Sequence, residues 1–157
     1  RRVLFRSTPL SELVELLQAH PLVTAYIEVK DEAVKFAGAT DTYASISECL
    51  APVASQCFII SFDHDFMGFV RAQGWERCGE VIKRWKDLQS VKLEAIKPET
   101  VFINYRKIPA NAELDNLGFE LVLYEIDDPL LAKKWLAKGA SKVESFDIGG
   151  LIAHESQ

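Results

Sequence analysis

Two short apolar stretches, TAYIEVK at residues 24–30 and QCFIISF at residues 56–62, decide the fold class. Both are rich in β-branched and aromatic residues, and the segments around them carry the apolar spacing of helices. The second stretch is apolar almost without interruption, which is typical of a parallel strand covered on both faces. The sequence therefore predicts an α/β protein in which helices alternate with buried parallel strands.

Four more strands and the intervening helices are predicted along the rest of the chain. The strands are expected at residues 76–82, 101–105, 119–126 and 142–146, and the helices at 10–20, 31–50 with an irregular middle near Gly38, 66–73, 85–96, 129–138 and 148–153. Thr8 is placed to cap the first helix, with Pro9 at its first helical position. No repeat or linker divides the chain, so residues 8–157 are expected to form one domain.

Periodicity does not decide between an open sheet and part of a closed barrel. An open sheet would carry a ligand loop where the strand order reverses, and neither GxGxxG nor GxxxxGK[ST] is present.

The composition excludes several classes of function. Hydrophobic residues make up 48% and charged residues 26%, and the net charge is −5, so neither wholesale disorder nor nucleic-acid binding is expected. No apolar run approaches the ~20 residues that cross a bilayer. Cys49, Cys57 and Cys78 lack metal-site spacing and are predicted to be reduced thiols, which suits a cytoplasmic protein.

The first seven residues, RRVLFRS, do not fit the rest of the chain. They have no initiator Met and no period that continues into the first helix, and they resemble the translated end of a sequencing-adapter oligonucleotide. We interpret them as a foreign tail. The alternative is a basic arm next to the domain. On the first interpretation, any targeting signal of the natural protein would be missing.

Glu28 and Lys30 are the candidate site residues that follow from the pattern alone. They lie two apart on a predicted strand, so both side chains point to one face while Ile27 and Val29 point to the other. An acid and a base on the inner face of a parallel strand are costly unless they are paired. A metal ion bound by the acid and an anionic ligand bound by the base would compensate the two charges. The alternative is an ion pair between Glu28 and Lys30 at a solvent-exposed barrel mouth.

Five segments then stand in an order that points to a known family. They are TPLSE at 8–12, IEVK at 27–30, ISF at 60–62, LYEID at 123–127 and GASKVESF at 139–146. Their order and spacing resemble the glycerophosphodiester phosphodiesterase family, whose motifs are P-x-L-x-E, I-E-[IV]-K, S-F, V-W-T-V-N and G-V-D-G-I-I-T-D.

The resemblance implies a TIM (β/α)8 barrel of which this chain supplies about six strands, the third to the eighth. It implies that Glu28 is one of three carboxylate ligands of Mg²⁺ or Ca²⁺, that Lys30 faces the substrate phosphate, and that Tyr124 forms an aromatic wall in place of Trp. The full-length parent would hydrolyse glycerophosphodiesters to an alcohol and glycerol phosphate, with small molecules as its substrates.

The same resemblance implies that this chain lacks catalytic residues. The family's two catalytic histidines and its Glu-x-Asp ligands precede I-E-[IV]-K, and none is found before Glu28. His20 is interpreted as structural, His64 as a loop residue and His154 as part of the tail. The fragment is therefore expected to be inactive, and its open barrel edges are expected to promote self-association.

Three departures from the family pattern indicate a divergent subgroup. Glu125 and Asp127 replace Thr and Asn, which could change the alcohol preferred, and Phe146 replaces the closing Asp. Two alternatives remain open at this point. One is a non-catalytic barrel of the same superfamily that binds phosphodiesters or a protein; the other is an unrelated (β/α) protein that happens to carry I-E-V-K.

Overall fold

The computed structural model describes residues 8–155, except for the side chains of residues 91, 92 and 155. The foreign-tail interpretation of residues 1–7 lies outside this range. Six parallel strands form one sheet in which every strand pairs with its neighbour in sequence. Their bounds are β1 Ala25–Glu28, β2 Cys57–Ser61, β3 Cys78–Ile82, β4 Thr100–Asn104, β5 Glu120–Tyr124 and β6 Lys142–Val143.

Helices connect the strands on the outer side of the sheet. They are α1 Leu10–Ala19, α2 Asp31–Ala37, α3 Ala39–Leu50, α4 His64–Ala72, α5 Val91–Ile96, α6 Pro129–Ala137 and α7 Ile148–Glu155, with 3₁₀ turns at Ala51–Gln56, Trp85–Gln89 and Tyr105–Lys107. No helix within residues 8–155 is both long and apolar enough to span a bilayer.

The sheet curls into a partial barrel with two different faces. Its inner face carries large apolar and aromatic side chains that pack on one another, namely Phe58, Ile60, Val81, Phe102 and Val122 with Tyr26, Phe62 and Tyr124. The curl brings the two ends of the sheet together, since Glu28 of β1 and Glu144 just after β6 line the same cavity. The predicted partial (β/α) barrel is thus confirmed.

The outer face holds the larger part of the core. One cluster packs α1, α3 and α4 against β2 and includes Leu17, Leu50, Ile59 and Met67. A second packs α5, α6 and α7 against β4 and β5 and includes Ile103, Leu121 and Leu123. β2 and β3 are buried along their whole length, as the near-continuous apolar run of β2 predicts. The three cysteines are free thiols, as predicted.

Several predicted boundaries were wrong for local reasons. Pro9, rather than Thr8, is the N-cap of α1, and no side chain caps that helix. The irregularity near Gly38 is a full break between α2 and α3, since Gly38 has a φ of 81°. The helix expected from residue 66 begins at His64, because the Asp63 carboxylate accepts hydrogen bonds from the backbone N–H groups of Asp65 and Phe66.

The last strand is shorter than predicted. β6 ends at Val143, although the backbone of Glu144 still bonds to Leu123 and Ile126 of the neighbouring strand region. Beyond it the Ser145 hydroxyl and the Phe146 N–H both donate to Asp127 Oδ1. These bonds turn the chain away from the sheet one residue after Glu144.

Candidate functional site

Glu28 and Lys30 lie where the first strand leaves the sheet. Glu28 is the last residue of β1 and aligns with Ile60 of β2, so its side chain points to the inner face. Lys30 follows the strand and is the N-cap residue of α2. Val29, between them, is buried on the outer face with the helices. The alternation predicted from the sequence is present, and it places an acid and a base at the carboxyl end of the parallel strands.

The two side chains form an ion pair at the mouth of a small cavity. Lys30 Nζ is 2.6 Å from Glu28 Oε1, and the lysine side chain is 64% exposed. The cavity has a volume of about 160 Å³, and its other walls are apolar or aromatic side chains of β2 to β5 together with Glu144. Because Lys30 is mostly in solvent, its ammonium group can leave Glu28 for a stronger anionic partner at little cost.

Glu144 is a site residue that the sequence analysis missed. It lies next to β6 and shares two cavities with Glu28, the small one and a larger one of about 430 Å³ between β1 and β6. Burial raises the pKa of Glu144, the carboxylates of Glu28 and Glu125 raise it further, and Lys30 lowers it. Lys142 and Glu144 stand two apart in the sequence, as Glu28 and Lys30 do. That spacing of a base and an acid on one predicted strand could have identified Glu144 as a candidate site residue.

Tyr124 closes the small cavity from the side of β5. It is the last residue of that strand and aligns with Asn104 of β4. Burial raises the pKa of its phenol, and the Glu125 carboxylate adds to this. Tyr124 therefore lines the same cavity as Glu28 and Lys30.

The two acids that depart from the family pattern are engaged in the loops around the mouth. Glu125 has a φ of 64°, and its carboxylate accepts hydrogen bonds from the Asn104 amide at 2.8 Å and from Arg106 at 2.9 Å. Asp127 accepts from Ser145 and from the Phe146 backbone, and these bonds lower its pKa. Phe146 itself is 82% exposed. Both acids hold neighbouring loops together.

One of the three histidines contacts a buried carboxylate, and the other two lie near helix ends at the periphery of the fold. His20 ends α1, where its carbonyl accepts a hydrogen bond from the Gln56 side chain. His154 lies near the end of α7 beside Lys133. The loop interpretation of His64 was wrong, because it is the first residue of α4 and its Nδ1 lies 2.5 Å from the buried Glu80 carboxylate.

The described residues do not by themselves fit a divalent cation. Within residues 8–155 no three His, Cys, Asp or Glu side chains are grouped so that they could hold one. Glu28, the predicted ligand, has Lys30 as its closest charged partner. The local arrangement is instead that of a carboxylate and an ammonium group beside an aromatic ring, which suits an anionic polar ligand with an apolar or hydroxylated face.

Comparison with known proteins gives a clear result only for structure. No protein-family model and no curated protein matches the sequence. Among solved structures, a glycerophosphodiester phosphodiesterase from Parabacteroides distasonis aligns with a TM-score of 0.71 and 13% identity over 94% of this chain and 65% of its own. One from Agrobacterium tumefaciens aligns with a TM-score of 0.61 and 16% identity over 96% of this chain and 62% of its own.

A third similar structure contains a bound product. It is a phosphodiesterase from Oleispira antarctica in complex with sn-glycerol-3-phosphate, with a TM-score of 0.74 and 17% identity over 94% of this chain and 60% of its own. The chain thus spans between 60% and 65% of the length of these three structures. The resemblance found in the sequence is confirmed at the level of architecture: this chain has the fold of the glycerophosphodiester phosphodiesterase barrels over nearly all of its described length.

Proposed function

We propose that a longer protein containing these residues hydrolyses glycerophosphodiesters to an alcohol and glycerol phosphate. We further propose that the 157-residue chain alone binds the phosphate product without hydrolysing the diester. The observation that carries the proposal is the Glu28–Lys30 pair on the inner face, at the carboxyl end of β1. In (β/α) barrels this end of the strands holds the active site.

Lys30 is the proposed phosphate-binding residue. Its ammonium group lies 2.6 Å from the Glu28 carboxylate, and the lysine side chain is 64% exposed. A phosphate brings two or three strong acceptor oxygens to such a donor, and a charge-assisted hydrogen bond of this kind is stronger than a neutral one. Tyr124 and Phe102 are walls of the same cavity and would pack against the carbon atoms of a glycerol group.

Glu28 is proposed as one carboxylate of a divalent-cation site that is complete only in the longer protein. Mg²⁺ and Ca²⁺ prefer oxygen ligands and take several of them, so a single glutamate beside a lysine is insufficient. In the chain alone, the role of Glu28 is to hold Lys30 at the cavity mouth.

Binding of sn-glycerol 3-phosphate, measured by isothermal titration calorimetry, tests the role of Lys30. We expect Lys30→Gln to weaken binding about tenfold, or about 1.4 kcal/mol, since it removes the positive charge and keeps most of the side-chain length. Lys35→Gln, which alters an exposed lysine on α2, is the matched control and should bind as the unchanged chain does. Equal affinities of the two variants would refute the assignment of Lys30.

Hydrolysis of glycerophosphocholine in the presence of Mg²⁺ or Ca²⁺ tests the second half of the proposal. The 157-residue chain should release no more glycerol phosphate than its Glu28→Ala variant. Metal-dependent release above that control would show that the chain is itself an enzyme. Coding sequence upstream of Thr8 that carries His-Arg-Gly and Glu-x-Asp would support the activity of the longer protein, and an upstream barrel segment without them would favour a binding-only barrel.

A further inference from the structure

A buried carboxylate on the outer face of β3 has no role in the function proposed above. The Glu80 side chain is completely inaccessible to solvent, between Cys78 and Ile82 of the same strand face. Its Oε2 lies 2.5 Å from His64 Nδ1, and its Oε1 has no hydrogen-bond partner in the described part of the chain. Burial raises the Glu80 pKa to about 7, although the nearby His64 opposes this shift. Such a group is costly to bury, and the imidazole is its main compensation.

The contact with Glu80 fixes how His64 is oriented. Because Nδ1 faces the carboxylate, the second ring nitrogen, Nε2, is left for another partner. His64 lines a cavity of about 540 Å³ between the loops that follow β2 and β3. The ring is 27% exposed, so it is held by a buried group on one side and reaches the cavity on the other.

The other polar residues of this cavity are mainly hydrogen-bond donors. Lys83 and Arg84 directly follow β3, and the Lys83 ammonium lies 5.5 Å from the centre of the Phe62 ring. Among the described lining residues Asp87 is the one carboxylate, and it is bonded to the Arg84 guanidinium at 2.9 Å. Ser90 accepts a hydrogen bond from the Leu93 backbone N–H, and a hydroxyl group can also donate one.

We propose that this cavity binds a tetrahedral oxyanion, a phosphate or sulfate group, through Lys83, Arg84 and His64 Nε2, with Glu80 as the positioning residue for the imidazole. The site is separate from Glu28 and Lys30, and its existence does not depend on the function proposed above. The two cavities adjoin, because Phe62 and Val81 line both.

Binding at this site is coupled to the proton of the His64–Glu80 pair. A proton taken up by the pair makes this part of the cavity less negative, so an anion near Nε2 binds more tightly once that proton is bound. Affinity should then rise as the pH falls through neutrality. The charged groups around the pair are Asp63 and Asp65 at the start of α4, and Lys83, Arg84 and Asp87 after β3.

Sulfate is a suitable probe because it does not titrate in this range. The Hε1 resonances of the three histidines are followed by NMR as sulfate replaces chloride at constant ionic strength. We expect a saturable shift for His64 and none for His20. Lys83→Gln should weaken the affinity about fivefold, while Lys35→Gln, on α2, should leave it unchanged. Methyl phosphate, titrated in parallel, shows whether an organic phosphate binds more tightly than the inorganic ion, and saturable binding of either supports the site.

The pH profile separates positioning by Glu80 from a purely structural role. In the unchanged chain the affinity should rise by up to about tenfold per pH unit while one proton is taken up. Glu80→Gln should reduce this rise, because the buried carboxylate whose pKa lies near 7 is then absent. If Glu80→Gln does not fold, the proposal is tested by the sulfate affinity of Lys83→Gln alone. Parallel shifts of all three histidines, an unchanged affinity of Lys83→Gln, or loss of the His64 response in Lys30→Gln would each overturn the proposal.

Discussion

At the level of single residues, the Glu80 carboxylate sets a measurable pH dependence of stability. Its pKa rises from an ordinary value of 4.5 to about 7 in the folded chain, chiefly because of burial. Between these two values the folded state binds more protons than the unfolded state. The free energy of unfolding therefore falls as the pH rises through this window, by on the order of 3 kcal/mol for a shift of this size.

Replacing Glu80 by Gln should remove that dependence. We expect the unfolding free energy of Glu80→Gln, measured by urea denaturation from pH 5 to pH 8, to fall less steeply with pH than that of the unchanged chain. Glu94→Gln, which alters an exposed glutamate on α5, is the control and should keep the original slope. Identical slopes for all three proteins would show that Glu80 does not titrate in this range.

At the level of elements, β3 fits between its neighbours only because residue 79 has no side chain. A Cβ added to Gly79 would lie 2.5 Å from Thr100 Cγ2 and 2.8 Å from Ile60 Cγ2, on the strands to either side. Both distances are shorter than any ordinary carbon–carbon contact. A larger residue here would force β2 and β4 apart or displace two buried side chains.

Gly79→Ala should therefore destabilise the chain by about 1–3 kcal/mol, the usual cost of overpacking a well-filled core. Gly68→Ala makes the same chemical change in α4, where an added Cβ meets no atom within 4 Å. That control should raise stability by about 0.5–1 kcal/mol, since Ala favours the helix over Gly. Thermal denaturation of both variants measures the difference, and a neutral Gly79→Ala would contradict the packing described for β3.

The elements that the sequence predicted best are those with an uninterrupted period. β2 and α6 were predicted nearly to the residue, because one is a continuous apolar run and the other begins with Pro129 after the capping Asp128. β3 is fully buried, although Gly79 and Glu80 interrupt its apolar run. The buried Glu80 of this strand is partnered by His64, sixteen residues earlier in the chain. No local sequence pattern reveals that contact.

The candidate site was predictable only where its residues share one strand. Glu28 and Lys30 were found because they stand two apart beside an apolar alternation. Glu144 joins them only through the curl of the sheet, which brings the ends of β1 and β6 to one cavity. The loop residues Glu125 and Asp127 were judged by their charge, but their partners, such as Arg106 and Ser145, come from other loops.

At the level of the whole molecule, the partial barrel leaves two sheet edges beside an apolar interior. Among residues 8–155, the outer sides of β1 and β6 have no strand partner. Between them lies the 430 Å³ cavity, lined by Tyr26, Phe102, Val122 and Ile148 among others. Unpaired edges next to exposed apolar surface favour pairing with another chain.

We therefore expect the isolated chain to self-associate with increasing concentration, as measured by sedimentation velocity. Ile148→Ser, which makes the rim of this cavity polar, should weaken association. Phe36→Ser changes an exposed apolar residue on α2 that does not line the cavity, and it serves as the control. A monomer at all concentrations, or equal effects of the two variants, would show that the open edges do not drive association.

The strictly sequential strand order has a consequence for how the chain acquires its structure. Within residues 8–155 each strand pairs only with its neighbours in sequence, so every pairing of adjacent strands closes a loop of one β/α unit. Such local closure is entropically cheap and is associated with fast folding. During synthesis, each emerging unit can dock on the completed edge of the previous one, so folding can proceed in the direction of translation. The last strand formed has an unpaired edge that can bind other chains until the next β/α unit docks on it. Protection by a chaperone would therefore matter most in the interval between two successive units.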